Sequence, residues 1–594
     1  MPGTPPYVEL HCHSAYSFLD GVSLPHELAH RAADLGYVAL ALTDHNSVSG
    51  SMELVQAAGE AGVRAIHGAE IDVSMGDGGG SPQRKGGAVW PGAKEARSYA
   101  FHLTLLVRDV RGWSNLCRIL THAHAHTRDG SGHERSEPAV ELQTVLDHSE
   151  GLVCLTGCAE HGAHEESTSR RLLDAFGPER LRVELQRPYA RHDRERNRAL
   201  EALAGRLGVA CVATGNVHAH ARSRAELQDA FVALRHHLTL DASEPLRRGN
   251  HSHVMSTPQA MAGRFADHPD AVRETLCLAE ELTFDLTRDL GYRYPGAEDE
   301  SALRRLAELC WARLEDRYRG NALCAQAEAR LHEELHVIDR LGLAGFFLLH
   351  HDMLELAREV AVNVRGRDTA RALLAPGRGR GSSVSSIVCY LTGLSHIDPI
   401  SNGLLLGRFL HEDLRGLPDI DLDFPRDIRE RLIPRVHERY GRDHAALVAA
   451  FPTFRGRGAV RELGKVLGLP PGEIERVARM ADSHRGDVER DIPARSTRWQ
   501  WLARLVDEAY RLPRHLSQHS GGMVVSTRPL IDCCPVVPAA MEGRQMVQWD
   551  KDSCADAGFL KIDLLGLGML SAVERCVEEI ARTHGERIDL SRIP

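Results

Sequence analysis

Little in this sequence speaks for a disulfide framework, a membrane span or an overall basic surface. Its 13 cysteines are odd in number, scattered apart from the adjacent Cys533 and Cys534, and never form a CxxC pair. Neither a zinc ribbon nor a disulfide scaffold is indicated, and reduced thiols are the simplest reading. No run approaches the ~18 apolar residues of a membrane-spanning helix. The opening Met-Pro-Gly-Thr-Pro-Pro has no basic stretch followed by an apolar one. A cytoplasmic location without a membrane partner is therefore expected. Positive charge is not in excess either: 72 Lys and Arg face 82 Asp and Glu, a net charge of -10. That is a weak guide, because binding a polyanion needs only a local basic surface. Carboxylates that hold metal ions also count as negative until the ions are added. Internal repeats and long low-complexity segments are missing too.

What is present is a globular composition, 43% hydrophobic and 26% charged over 594 residues. That length exceeds one hydrophobic core and implies three or four domains of roughly 100–200 residues each. Residues 7 to about 230 alternate short apolar runs with helical patterns. Tyr37–Thr43, Phe101–Val107, Leu152–Thr156 and Val209–Thr214 read as buried strands, and Pro25–Leu35 as an amphipathic helix. Such repetition predicts parallel strands, in a barrel or a doubly wound sheet. Residues 74–98 are rich in Gly, Pro, Lys and Arg and read as an inserted exposed loop. From about 230 to 360 the pattern is helical, and it is helical again over 449–510, where Val460, Leu463, Val466 and Leu467 make one apolar stripe. Strand character returns around Gly522–Ser526 and Met546–Trp549.

The ends of the N-terminal strands hold metal-type ligands. His11 and His13 follow Val8–Leu10, Asp44 and His45 follow the Tyr37 strand, and Glu70 follows Ala65–Ala69. Cys158, Asn216 and His218 lie just beyond their strands, and His102 opens its own. In a βα barrel, strand ends converge on one face. Imidazole and carboxylate ligands there suit Zn²⁺, Mn²⁺ or Fe²⁺, and adjacent ions can activate water against a phosphodiester. With 34 histidines in the chain, single coincidences are certain. The HxH pair and the strand-end placement of the others are what set this group apart.

These residues resemble the polymerase-and-histidinol-phosphatase (PHP) domain, whose motifs are matched by His11-Cys12-His13, Asp20, Thr43-Asp44-His45, Glu70, His102, Cys158 and Asn216-Val217-His218 over roughly residues 5–225. The resemblance implies a distorted (β/α)₇ barrel with up to three metals, bound through His11, His13, Asp20, His45, Glu70, His102, Cys158, Asn216 and His218. Asn216 stands where the family usually has Asp. An amide oxygen is a neutral, weaker ligand that does not bridge two cations as a carboxylate does. A 3′→5′ exonuclease and a barrel that keeps a metal for stability both stay open.

A second group lies further on. Pro376–Ser386 reads PGRGRGSSVSS, small residues that let backbone N–H groups approach a phosphate, with Arg378 and Arg380 for charge. The helix expected after it would aim its N-terminus at the anion. The alternative is a flexible linker; no GK[ST] ends the motif, so it is not a Walker P-loop. Residues 418–424 read PDIDLDF. Alternate aspartates on one face of a strand repel each other, and become favourable when that face holds Mg²⁺, where two ions about 4 Å apart can clamp an in-line phosphoryl transfer. Ile420, Leu422 and Phe424 then point to the opposite face and must be buried. In Phe559–Leu570, Lys561 and Asp563 interrupt an apolar run. A charge so placed needs a partner: Asp563 can complete the metal site and Lys561 can neutralise nucleotide or pyrophosphate.

PDIDLDF, GRGSS and LKIDLLGL resemble the palm of family C DNA polymerases, the bacterial DNA polymerase III alpha subunits, over essentially the whole chain. That resemblance implies Asp419, Asp421 and Asp563 as ligands of the catalytic metals, Asp423 in support, and Gly381 and Ser382 as phosphate contacts. It implies a primer-template, dNTPs and Mg²⁺. Leu512–Gly522 and Val547-Gln548-Trp549-Asp550 are similar to the error-prone, damage-inducible branch. Phe454–Leu469 matches a motif near the thumb, where Arg457, Arg461 and Lys465 at i, i+4 and i+8 form one basic helix face for DNA or triphosphate, or else a solvated surface. The expected division is a barrel over 1–230, a helical connector and first part of the palm over 231–448, a thumb over 449–510, the rest of the palm over 511–575 and the start of the fingers over 576–594. Fingers, a clamp-binding region and a single-strand-binding domain are expected beyond residue 594. Without them, weak or no processive synthesis by this chain alone is expected, and any sliding clamp or accessory protein would act through those regions.

Overall fold

The computed structural model describes residues 6–75, 100–128, 137–414, 417–480 and 496–588. The inserted segment expected at 74–98 falls almost wholly outside them. Two seven-stranded sheets organise the described residues. The first contains β1 (Ala39–Leu42), β2 (Arg64–Ser74), β3 (Phe101–Val107), β4 (Val140–Glu141), β5 (Leu152–Leu155), β6 (Leu181–Gln186) and β7 (Cys211–Thr214). Its order is β1-β2-β3-β5-β6-β7, with β4 paired to β2. Helices Ser51–Ala61 and Asp193–Leu207 stop at Gly62 and Gly208, at φ +73° and +70°. Glycine adopts that conformation without penalty and turns the chain back into a strand.

The all-parallel expectation holds for β1 with β2, β5 with β6 and β6 with β7. It fails at β3, which is antiparallel to both β2 and β5. β3 is buried along its whole length, and an uninterrupted apolar run carries no mark of direction. Glu9 bridges to Leu40 and Cys12 to Val217, both parallel. The two ends of the sheet therefore meet across residues 8–12, which places His11 and His13 beside strands from both ends.

Helices Pro258–Arg264, Pro269–Glu281, Ala302–Tyr318, Cys324–Arg340 and Ala344–Arg365 fill the expected helical stretch. The second sheet then draws on distant parts of the chain: β8 (Arg378–Arg380), β9 (Asp421–Pro425), β10 (Ala445–Ala450), β11 (Ser517–Val525), β12 (Val536–Pro538), β13 (Gln545–Val547) and β14 (Lys561–Leu567). Its order is β12-β13-β10-β11-β14-β9-β8. Ile420, Leu422 and Phe424 are buried as the alternation requires. Between β10 and β11 lie helices Gly456–Val466, Pro471–Met480 and Thr497–Ala509. The stripe Val460, Leu463, Val466 and Leu467 is buried; full burial of such side chains contributes roughly 1.5–3 kcal/mol each.

The two sheets share a core that includes Trp113, from the helix Val110–His124, with Val547 of β13 and the nearby Trp549 and Phe559. Gln548 donates to the Asn46 carbonyl and accepts from the Val48 amide at 3.2 and 3.1 Å, and Trp549 Nε1 donates to the Val48 carbonyl at 3.1 Å. The VQWD segment thus locks the second sheet onto the first.

Candidate functional sites

The rim of the first sheet brings together the residues expected to bind metal. Three groups have ligand atoms within 4.8 Å of one another: His11, His13 and Glu70; Glu70, His102 and Cys158; and His13, His45 and His218. Asp20 joins them, its Oδ2 lying 3.3 Å from His45 Nε2 and 3.5 Å from His218 Nε2. Asn216 is in place at φ +47°, and its side-chain oxygen is buried without a hydrogen-bond partner. His218 Nδ1 lies 2.9 Å from the Asn216 carbonyl, so that nitrogen carries the proton and Nε2 presents its lone pair. Burial, and then the charge of Arg248, push the His218 pKa down to about 4, which keeps the ring neutral. The imidazoles of His11, His13, His45 and His102 gathered around the shared Glu70 carboxylate are a donor set that suits a divalent cation.

Sequence reasoning missed the residues that hold these ligands. Glu184 Oε1 lies 2.7 Å from His11 Nδ1, and Asp72 Oδ1 lies 3.0 Å from His102 Nε2. Such partners fix the ring orientation of a ligating histidine. Glu184 had a readable signal, a charge inside the apolar strand β6. Arg248, whose guanidinium grips Asp20 at 2.6 and 3.3 Å, sits in a loop and had none. The rim opens into a cavity of about 720 Å³ that Leu516 and Met546 of the second sheet region also line.

The second site is built from neighbouring strands. Asp563 of β14 is in register with Asp421 of β9, and Asp421 with Arg380 of β8. Asp419 lies two residues before β9 and is exposed, whereas Asp563 is buried. The three carboxylates offer oxygens within 4.8 Å of one another. Gly522 of β11 faces Asp563, and a Cβ there would lie 3.3 Å from Asp563 Oδ1 and 3.0 Å from His519 Nδ1. Asp563 Oδ1 is buried with no hydrogen-bond partner, while Oδ2 is ion-paired to Lys561. Arg380 reaches Asp421 Oδ2 and Asp423 Oδ1 at 3.2 Å each. Partial burial, followed by the neighbouring Asp419 carboxylate, raises the Asp421 pKa. Crowded carboxylates with one orphaned oxygen fit hard divalent cations such as Mg²⁺.

The loop Gly381–Ser385 keeps Gly381 at φ +77° with open space beside it, and Ser382 is exposed. Ser383 and Ser385 donate instead to the carbonyls of Arg380 and Ser382 at 2.9 and 2.7 Å. The expected anion-facing helix is corrected here. Helix Ile387–Thr392 is only six residues long, and its N-terminus is already filled by the buried Glu334 carboxylate. Glu334 accepts from Ser386 Oγ and from the Ile387 and Val388 amides. The sequence hid this because Glu334 comes from a helix more than fifty residues earlier. On helix Gly456–Val466, Arg457, Arg461 and Lys465 are all exposed. Glu475 of the next helix holds Arg461 through two bonds of 2.9 and 3.0 Å.

Two domain families match this chain: the PHP domain over residues 9–188 and the bacterial DNA polymerase III alpha NTPase domain over residues 304–566. The second match takes in PDIDLDF and the GRGSS loop, the motifs that resemble the family C bacterial DNA polymerases. The error-prone DNA polymerase of Mycolicibacterium paratuberculosis is 38% identical over 99% of this chain and 52% of its own length. Those of Mycobacterium tuberculosis H37Rv and Pseudomonas aeruginosa are each 36% identical over 99% of this chain, and over 51% and 53% of their own lengths. The chain thus spans about half the length of the curated relatives it matches. All thirteen cysteines are free, and among the described residues no helix is long and apolar enough to cross a membrane.

Proposed function

We propose that the second sheet is the nucleotidyl-transfer centre of an error-prone DNA-directed DNA polymerase. The reaction joins a dNMP to a primer 3′-OH and releases pyrophosphate. The observation that carries this reading is the in-register pair Asp421 and Asp563, with Asp419 beside them and one Asp563 oxygen unengaged. These three residues would hold Mg²⁺, which supplies charge neutralisation at the attacking and leaving oxygens. Lys561 and Arg380 hold the carboxylates in place and lie where a triphosphate tail would arrive, so that each can exchange an aspartate for phosphate. Gly381 and Ser382 present exposed backbone and hydroxyl donors on the same side as β8.

In this reading β8–β10 and β11–β14 are the two parts of a palm, the helices between β10 and β11 are a thumb carrying Arg457, Arg461 and Lys465 toward DNA, and residues 576–594 begin the fingers. The first domain is a distorted (β/α)₇ PHP barrel whose rim holds Zn²⁺ or Mn²⁺. Primer-template and dNTPs are the partners, in the cytoplasm. Primer extension with Mg²⁺, with and without the C-terminal half of an error-prone relative, tests the assignment: Asp421→Ala abolishes extension, and extension that survives Asp421→Ala removes it.

A further inference from the structure

The PHP resemblance implies up to three ions at the barrel rim. One corner of the rim does not fit an ion. At the Asp20, Asn216 and His218 corner, both oxygens of the Asp20 carboxylate face Arg248, at 2.6 Å from Nη1 and 3.3 Å from Nη2. The same Nη2 lies 2.6 Å from His218 Nε2. Since His218 Nδ1 donates to the Asn216 carbonyl, Nε2 is the accepting nitrogen, and the lone pair that would bind a metal receives a guanidinium proton instead. Asn216 adds no charge, and its orphaned oxygen is too weak to draw a divalent ion alone. The guanidinium brings one positive charge to one negative charge, in a fork geometry matched to a carboxylate.

We propose that Arg248 is a built-in cation that replaces one metal ion of the barrel, leaving ion sites only around Glu70. The other ligand groups, His11 with His13 and Glu70 and Glu70 with His102 and Cys158, centre on the Glu70 carboxylate, which faces imidazoles. Arg248 and Asn216 belong together in this view: losing a bridging carboxylate and gaining a fixed cation each lower the need for the other.

The test counts bound zinc in the full chain by elemental analysis after gel filtration. Changing Arg248→Ser together with Asn216→Asp is expected to raise the zinc content by one per chain, while Arg248→Lys with Asn216→Asp, which keeps the positive charge, gives no such gain. An unchanged zinc content in the folded Arg248→Ser, Asn216→Asp variant overturns the proposal. Anomalous diffraction from zinc-soaked crystals of the unaltered chain decides it independently of any variant's folding. A zinc peak within bonding distance of both Asp20 and His218 overturns the proposal, and no peak there supports it.

Discussion

The rim of the first sheet and the aspartate cluster of the second both gather metal-type ligands, yet they answer opposite electrostatic problems. The rim draws its ligands from the ends of several strands, buries nearly all of them, and balances Glu70 with imidazoles and Asp20 with Arg248. The second site packs carboxylates from two adjacent strands, leaves Asp419 exposed and Asp421 half-buried, and balances them with two mobile-ended cations, Lys561 and Arg380. A buried cluster of imidazole, carboxylate and thiol donors is suited to holding ions permanently. An open anionic cluster is suited to ions that come and go with a triphosphate, because the charge that recruits them is never fully cancelled.

The sharpest way to break this contrast is to remove one ligand from each side. Asp563→Asn should lower primer extension by at least about a hundredfold, in line with the loss of one charge-stabilising group at a reacting centre. His13→Ala should leave extension within a few-fold of the unaltered chain; equal losses would mean the two centres act as one. Next in size is Glu334, which connects the helical region to the turn that follows the Gly381–Ser385 loop. Glu334→Ala leaves the Ile387 and Val388 amides unpaired in the interior and should cost about 3 kcal/mol in chemical denaturation.

Glu334 also gives a pH signature. Burial raises its pKa from 4.5 to about 7, against the hydrogen bond from Ser386. The folded state therefore binds this proton more tightly than the unfolded state does. The stability it contributes is complete below about pH 4.5 and is lost as pH rises through about 7, amounting to on the order of 3 kcal/mol. Denaturation of the unaltered chain relative to Glu334→Gln, followed from pH 4 to 8, should show that decline, and parallel curves would contradict it. The smallest effect concerns the helix Gly456–Val466. Lys465→Ala should lower the salt-dependence slope of DNA binding by about one. Arg461→Ala should change it less, because Glu475 already engages that charge, and should leave stability nearly unchanged, as for other solvent-exposed ion pairs.

Much of both sites was legible because their chemistry is incompatible with ordinary strands. Aspartates alternating in PDIDLDF and a lone Asp563 among leucines violate burial rules unless they face a site, and β9 and β14 place them side by side. His11, His13, Glu70 and His218 were legible for the same reason at strand ends. What stayed hidden depends on long-range pairing. The reversed direction of β3, the Glu334 cap and the grip of Arg248 on Asp20 each arise from residues far apart in sequence, and local periodicity carries no record of them. The VQWD segment shows the same limit: its residues are distinctive in sequence, but only the fold reveals that Gln548 and Trp549 tie the second sheet to the first.

The central claim is that Asp419, Asp421 and Asp563, and not the barrel rim, hold the ions that a nucleotide recruits. Electron paramagnetic resonance of Mn²⁺ titrated into the chain with and without a dNTP tests it most directly. The account predicts dNTP-dependent Mn²⁺ binding that persists in Glu70→Gln and disappears when Asp419→Asn, Asp421→Asn and Asp563→Asn are combined. Nucleotide-dependent binding that survives the triple substitution and is lost in Glu70→Gln would contradict it.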